Sequence, residues 1–218
     1  MTATAAVLLA LAGLAAVADW VAVAREQDRV RLVAKPLTLV LLLGVAATLD
    51  AGDGTVRAWF LAGLVLSLAG DVFLMLPDER RLGPVPPFLA GLGAFLLGHL
   101  AYIVGMATDQ QSWVLTAVGV VVVVVGLGAI SPRLLAGVAR TDPALRGPVL
   151  GYMVVISLMV VAAFGRAVLV GMAGSLLFYV SDATLGWNRF VAPSRGAQVA
   201  VMVTYHLAQA GLVLSLLA

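Results

Sequence analysis

The chain has 218 residues, of which 62% are hydrophobic and only 11% are Asp, Glu, Lys or Arg. Soluble domains have roughly 45–50% apolar and about 25% charged residues, so a water-soluble fold is excluded. The net charge of +2 says little in itself, and no nucleic-acid partner is expected. The absence of cysteine excludes disulfides and thiolate metal sites. We therefore expect one integral-membrane domain over residues 1–218.

Hydropathy predicts eight membrane-spanning helices, since each apolar run is continuous over 17–22 residues without the alternation of a barrel strand. The runs are 2–23, 33–49, 57–76, 88–107, 112–130, 147–164, 167–187 and 196–217. The first run has no basic residue before Arg25, which favours a retained helix over a signal peptide. Pro36 is expected in the first turn of its helix, and Pro77, Pro132 and Pro148 at helix ends.

Basic residues are concentrated in alternate loops. All Lys and Arg residues except Arg57 and Arg166 follow the first, third, fifth or seventh run. Cytoplasmic loops carry the excess of Lys and Arg in membrane proteins, so these four loops are expected in the cytoplasm and both termini outside. The Ala-, Val- and Gly-rich composition suggests a bacterial chain, in the cytoplasmic membrane.

Few ionisable side chains lie within the apolar runs, and such residues usually carry a function because they are costly in lipid. At about 1.5 Å per residue, Asp71 and Asp182 each lie about 8 Å from the cytoplasmic end of their helix. By the same measure His99 and His206 lie about 15 Å deep, and Lys35 lies at the cytoplasmic mouth of the second helix. If the helices converge, these groups share one site open toward the cytoplasmic half of the bilayer.

Other polar residues of the same helices are candidates for substrate binding, although a single tyrosine is often only an interface anchor: Tyr102, Tyr152, Tyr205, Asn188 and Gln209. Asp19 is expected to face lipid headgroups instead. Two His and two Asp residues are enough for a metal site, but no pair has the i, i+3 or i, i+4 spacing, so no metal is expected. No nucleotide-binding motif is present, and no cofactor is expected.

A weak internal repeat relates the two halves of the chain. Gly63 precedes Asp71 by eight residues, as Gly174 precedes Asp182, and a helix with one histidine follows each Asp helix. The first four helices would then correspond to the last four as a parallel 4+4 repeat. Chance agreement within an apolar sequence is the alternative interpretation.

An ordered set of motifs resembles the YhhN-type lysoplasmalogenase family. It consists of KP at 35–36, GDVFL at 70–74, FLLGHLAY at 95–102, the stretch 174–182 ending in SD, and YHLAQ at 205–209. The resemblance implies a multi-span membrane hydrolase that cleaves the vinyl-ether bond of lysoplasmalogens to a fatty aldehyde and glycerophosphoethanolamine or glycerophosphocholine. Asp71 and Asp182 match the two acidic motif positions, and the other polar motif positions match Lys35, His99, Tyr102, Tyr205 and His206.

Vinyl-ether hydrolysis needs one neutral acid to protonate the alkenyl carbon and one ionised group to activate water, as two carboxyl groups do in glycoside hydrolysis. We hypothesise that Asp71 and Asp182 are this pair, supported by His206 and His99. Which is the acid stays open. Lys35 would meet the phosphate, and Gln209 or the tyrosines the glycerol hydroxyl.

Two other functions fit the same residues. Acids and histidines inside a membrane also build proton relays, so a small proton-coupled transporter or a lipid-binding protein is one alternative. A metal-dependent membrane lipid hydrolase is the other. The substrate headgroup and the oligomeric state stay open.

Overall fold

The structure is a computed structural model that describes residues 1–77 and 85–218, and within these ranges the chain forms eight α-helices and no strands. The helices are α1 (Ala3–Ala24), α2 (Asp28–Thr48), α3 (Gly54–Leu74), α4 (Pro87–Thr108), α5 (Trp113–Thr141), α6 (Arg146–Arg166), α7 (Leu169–Phe190) and α8 (Arg195–Leu214). Short 3₁₀ turns, Pro143–Leu145 and Ser215–Leu217, precede α6 and follow α8. All eight helices are long and apolar enough to cross a membrane, which confirms the predicted all-α class.

Two helices extend well beyond the predicted boundaries. Helix α2 begins at Asp28, so Pro36 lies in its interior and not in its first turn. Helix α5 continues to Thr141, so Pro132 is also interior and not at a helix end. Hydropathy reports where a chain is apolar and therefore misses polar turns that prolong a helix. Membrane helices tolerate an internal proline because neighbouring groups satisfy the backbone it frees. Arg80 and Arg81, on which the orientation partly rests, lie outside the described residues.

Successive helices pack in pairs, α1 with α2, α3 with α4, α5 with α6 and α7 with α8. Helix α8 also contacts α1, α2 and α3, and most of its apolar stretch is buried, whereas α5 is largely exposed on the outside of the bundle. Helix α8 is thus the central element that connects the two helices carrying the predicted acids. This pairing does not test the internal repeat, which stays a prediction.

The ends of α3 determine how far Asp71 lies from the bundle surface. Asp53 caps the N-terminus, since its side chain accepts the backbone N–H of Thr55 at 2.6 Å and of Val56 at 3.4 Å. These backbone hydrogen bonds lower the pKa of Asp53. At the other end the N–H of Met75 reaches the carbonyl oxygen of Asp71, so the helix ends one turn after the acid.

Glycines allow both acid-bearing helices to approach their partners closely. A Cβ atom on Gly70 would lie 2.6 Å from the Phe95 ring of α4. A Cβ atom on Gly174 would lie 2.9 Å from the carbonyl oxygen of Ala208 on α8. Because the second obstacle is backbone, a side chain there would force α7 and α8 apart.

Replacing Gly174 by alanine is expected to destabilise the protein by about 1–3 kcal/mol, as overpacking usually does. Gly151→Ala is the matched control, since Gly151 also lies inside a helix but has nothing within 4 Å of a built Cβ. Its expected effect is slightly stabilising, by roughly 0.5–1 kcal/mol, because alanine restricts the unfolded chain. Thermal unfolding in detergent measures both, and equal midpoints would contradict the proposed close packing.

Candidate functional site

A cavity of about 310 Å³ lies among seven of the eight helices, α2 to α8. Its lining includes residues at the ends of α3 and α7 and at the starts of α4 and α6, such as Leu74, Phe190, Phe88 and Val149. It therefore opens at one end of the bundle, the end with the α1–α2, α3–α4, α5–α6 and α7–α8 connections. We call this the basic end, because most of the Arg residues lie in these connections or in the helix ends next to them. The volume is typical of sites for small ligands.

The cavity is amphipathic. Its walls are mainly apolar, with contributions from Leu92, Phe95, Leu134, Met153, Ile156 and Met202. Both predicted acids, Asp71 and Asp182, line it, as do Tyr152 and Tyr205. The sequence prediction that the two acids share one site therefore agrees with the geometry. An apolar wall with a few convergent polar groups is typical of a binding site for an amphipathic molecule.

Asp71 is almost completely buried, with 1% of its surface exposed. Its Oδ1 atom lies 3.0 Å from Nζ of Lys35, which forms an ion pair, and its Oδ2 atom accepts a hydrogen bond of 2.8 Å from Tyr205. A carboxylate in an apolar interior persists only where such partners compensate its lost hydration. Both partners favour the ionised form of Asp71.

A chain of hydrogen bonds continues behind Tyr205. Gln209 Nε2 lies 3.5 Å from the Tyr205 hydroxyl, and the Tyr102 hydroxyl donates to Gln209 Oε1 at 2.7 Å. Tyr102 and Gln209 are fully buried and do not line the cavity, although the sequence analysis proposed them for substrate contact. Their contacts instead orient Tyr205 toward Asp71.

Asp182 has a different environment from Asp71. Its carboxyl group is 13% exposed and faces the cavity, and its Oδ2 atom accepts a hydrogen bond from the Tyr152 hydroxyl. His99 Nε2 lies 3.9 Å from the same oxygen, which is too far for a hydrogen bond. Within residues 1–77 and 85–218, no Lys or Arg forms an ion pair with Asp182. Two carboxyl groups at one cavity thus differ in their charge partners.

Neither histidine lines the cavity, and both are buried. The ring of His99 packs edge-on against Phe178, with centroids 4.6 Å apart, and lies behind Asp182. Trp20 donates its indole N–H to His206 Nδ1 at 3.0 Å. A neutral His206 therefore carries its hydrogen on Nε2. Both histidines lie behind the wall of the cavity and do not form it, and their supporting role in catalysis stays a prediction.

The predicted substrate contacts Lys35 and Asn188 both line the cavity. Lys35 is only 3% exposed, because α2 begins at Asp28 and Lys35 lies two turns inside the helix. Its ammonium group contacts Asp71, so the prediction that Lys35 lies at the mouth among headgroups is wrong. Asn188 lies at the end of α7, where its side-chain oxygen accepts the N–H of Ser194 at 2.5 Å.

Two charged residues beside the acids, Asp19 and Arg31, were not predicted to belong to the site. Asp19 is fully buried, so the prediction that it faces lipid headgroups is wrong. It lies close enough to Lys35 and Arg31 for electrostatic attraction. Neither of its carboxyl oxygens has a hydrogen-bond partner in the part of the chain that the structure describes. Arg31 lines the cavity. A spacing of four residues, which places Arg31 and Lys35 on one helix face, was the signal for Arg31.

Comparison with known proteins gives one family. A family model described as the YhhN family matches residues 30–216. The chain is 30% identical to a pig (Sus scrofa) protein named lysoplasmalogenase TMEM86B, over 80% of this chain and 70% of that protein. It is 31% identical to a Mycobacterium bovis protein named lysoplasmalogenase, over 79% of this chain and 65% of that one. An Escherichia coli protein named uncharacterized membrane protein YhhN is 39% identical over 37% of this chain and 35% of its own length. No solved structure matches the chain.

Proposed function

The chain belongs to the YhhN family, and we propose that this integral membrane protein hydrolyses the vinyl-ether bond of lysoplasmalogens. The products are a fatty aldehyde and glycerophosphoethanolamine or glycerophosphocholine. The names of the pig and mycobacterial relatives support the substrate class. The observation that carries the chemistry is the pair of carboxyl groups at one amphipathic cavity, of which only Asp71 has a cation partner among residues 1–77 and 85–218.

Asp182 is the general acid of this proposal. It faces the cavity without an ion-pair partner among the described residues, and an apolar environment favours the neutral form of a carboxyl group. The neutral acid transfers its proton to the alkenyl carbon that is not bonded to the ether oxygen, and the π electrons of the double bond form the new C–H bond. The positive charge then resides on the oxocarbenium ion formed by the adjacent carbon and the ether oxygen. Tyr152 orients the acid through its hydrogen bond.

Asp71 is the ionised partner. Its negative charge stabilises the oxocarbenium ion and accepts a proton from the water that adds to the carbon of that ion. Lys35 and Tyr205 orient the carboxylate and favour its ionised form. The resulting hemiacetal collapses to the aldehyde as its hydroxyl group gives a proton to Asp182, and the glycerol oxygen leaves with the proton that Asp71 took from the water. One water is consumed, and both carboxyl groups return to their starting protonation states.

The test is aldehyde release by the purified protein in detergent, with a vinyl-ether lysophospholipid as substrate and its ester counterpart as control. In heavy water the mechanism requires one deuterium on the carbon next to the aldehyde carbonyl, because that carbon receives the acid's proton. Release of labelled aldehyde without any ion gradient supports the enzyme. Proton-dependent lipid uptake into vesicles without aldehyde would support the transporter instead. Loss of activity with a chelator would favour the metal-dependent hydrolase.

A further inference from the structure

Arg31 contributes a positive charge that the proposed chemistry does not use. It lines the cavity one helical turn closer to the basic end than Lys35. Its Nε atom is buried and has no hydrogen-bond acceptor in residues 1–77 and 85–218. Nearly all buried N–H groups in proteins have a protein or water partner, so an N–H at a cavity wall without a protein acceptor has donor capacity left for a molecule in the cavity.

The acids near Arg31 do not supply this acceptor. Asp71 contacts Lys35 and Tyr205, and the buried carboxyl oxygens of Asp19 make no hydrogen bond to any described residue. The other cation of the cluster, Lys35, forms an ion pair with Asp71, so its charge is compensated within the protein. Arg31 is therefore the cation of α2 that faces the cavity with donor capacity left.

The surroundings of Arg31 fit an anion attached to an apolar chain. Arg189, at the end of α7, lines the same cavity and stacks on the Phe88 ring with its guanidinium carbon 3.8 Å from the ring centroid. A guanidinium group binds phosphate oxygens through two parallel N–H donors. The cavity thus has two guanidinium groups, of Arg31 and Arg189, toward the basic end and apolar walls beyond them.

We propose that Arg31 binds the phosphate group of the lysophospholipid substrate and so determines headgroup recognition. This inference rests on the proposed function and assigns to Arg31 the role that the sequence analysis gave to Lys35. Arg31 and Lys35 are one turn apart, about 6 Å along the helix axis. The three-carbon glycerol backbone that separates the ether oxygen from the phosphate spans a similar length. A phosphate on Arg31 therefore leaves the vinyl ether near Asp71.

The experiment compares two substrates, a lysoplasmalogen and a 1-alkenylglycerol that has the same vinyl ether but no phosphate. For Arg31→Gln, the ratio of kcat/KM for the lysoplasmalogen to that for the alkenylglycerol is expected to fall by roughly 10- to 100-fold, mainly through KM. Arg31→Lys is expected to recover part of the ratio, since lysine keeps the charge but not the paired donors. Arg29→Gln is the control, because Arg29 is exposed and lies outside the cavity lining.

If kcat/KM falls equally for both substrates, or for neither, the ratio is unchanged and Arg31 does not bind the phosphate group. If Arg31→Gln does not fold, the same ratio measured for Arg31→Lys decides. A second measurement separates this inference from the activity: an ester lysophosphatidylcholine should raise the unfolding temperature of the wild type more than a monoacylglycerol of equal chain length, and this difference should vanish in Arg31→Gln. If wild type releases no aldehyde, the proposed function fails, whereas the thermal shift still tests Arg31.

Discussion

Asp71→Asn and Asp182→Asn are each expected to lower the rate of aldehyde release by about 10²–10⁴-fold, the range usual for loss of a general acid or base. Asparagine keeps the size of the side chain but neither donates the proton that the alkenyl carbon needs nor carries the charge that the oxocarbenium ion needs. Turnover of a vinyl-ether lysophospholipid by purified variants measures the effect. Asp28→Asn, at the exposed start of α2, is the matched control and should keep wild-type turnover.

The double variant adds a sharper criterion. Because the two carboxyl groups would act in one reaction, their combined replacement is expected to cost little more than the worse single replacement. Full additivity would indicate two independent roles. Near-wild-type turnover by either folded single variant would overturn the assignment of that residue. Elution as a single species in detergent establishes that each variant is folded before its rate is compared.

Lys35→Met is expected to destabilise the protein by about 3–5 kcal/mol, the usual cost of removing one partner from a buried ion pair. Lys35 and Asp71 are both nearly inaccessible, so the remaining carboxylate would lack a cation in an apolar interior. The variant is also expected to lose activity, because Asp71 would tend to take up a proton there. Denaturation in detergent, with exposed Arg133→Met as the control, measures the stability.

The Lys35→Met/Asp71→Asn variant separates the ion pair from other effects of methionine. With both charges removed, much of the lost stability should return, since neither residue then leaves an unpaired charge. Activity should stay absent. If the double variant is as unstable as the sum of the single variants, the contact at 3.0 Å contributes no coupling and the role of Lys35 in the site is wrong.

Local properties of the sequence predicted the helices and the acids. An apolar run long enough to span is visible residue by residue, and the cost of a charge in lipid identifies Asp71 and Asp182 without a partner being known. The same cost applies to Asp19, which is fully buried. The prediction that Asp19 faces lipid headgroups was wrong, because the position of Asp19 near the end of an apolar run was interpreted as exposure. Depth in a helix does not determine burial in a bundle.

The partners of the acids could not be predicted because they come from distant parts of the chain. Tyr205 lies 134 residues after Asp71, and Tyr152 lies 30 residues before Asp182. Their meeting depends on how α8 and α6 pack, which periodicity does not specify. The predicted position of Lys35 was wrong for a simpler reason. Hydropathy placed the start of α2 too late, so the residue was expected at the bundle surface.

Lys35 is the only lysine of the chain, and its amine is covered by protein. An amine-reactive reagent therefore has one side-chain target, which becomes available when the ion pair between Lys35 and Asp71 opens toward the cavity. The extent of modification at this position, read by mass spectrometry, measures that opening without an introduced probe. A substrate seated in the cavity should slow the modification, so the same residue would report occupancy in a membrane where turnover is not followed.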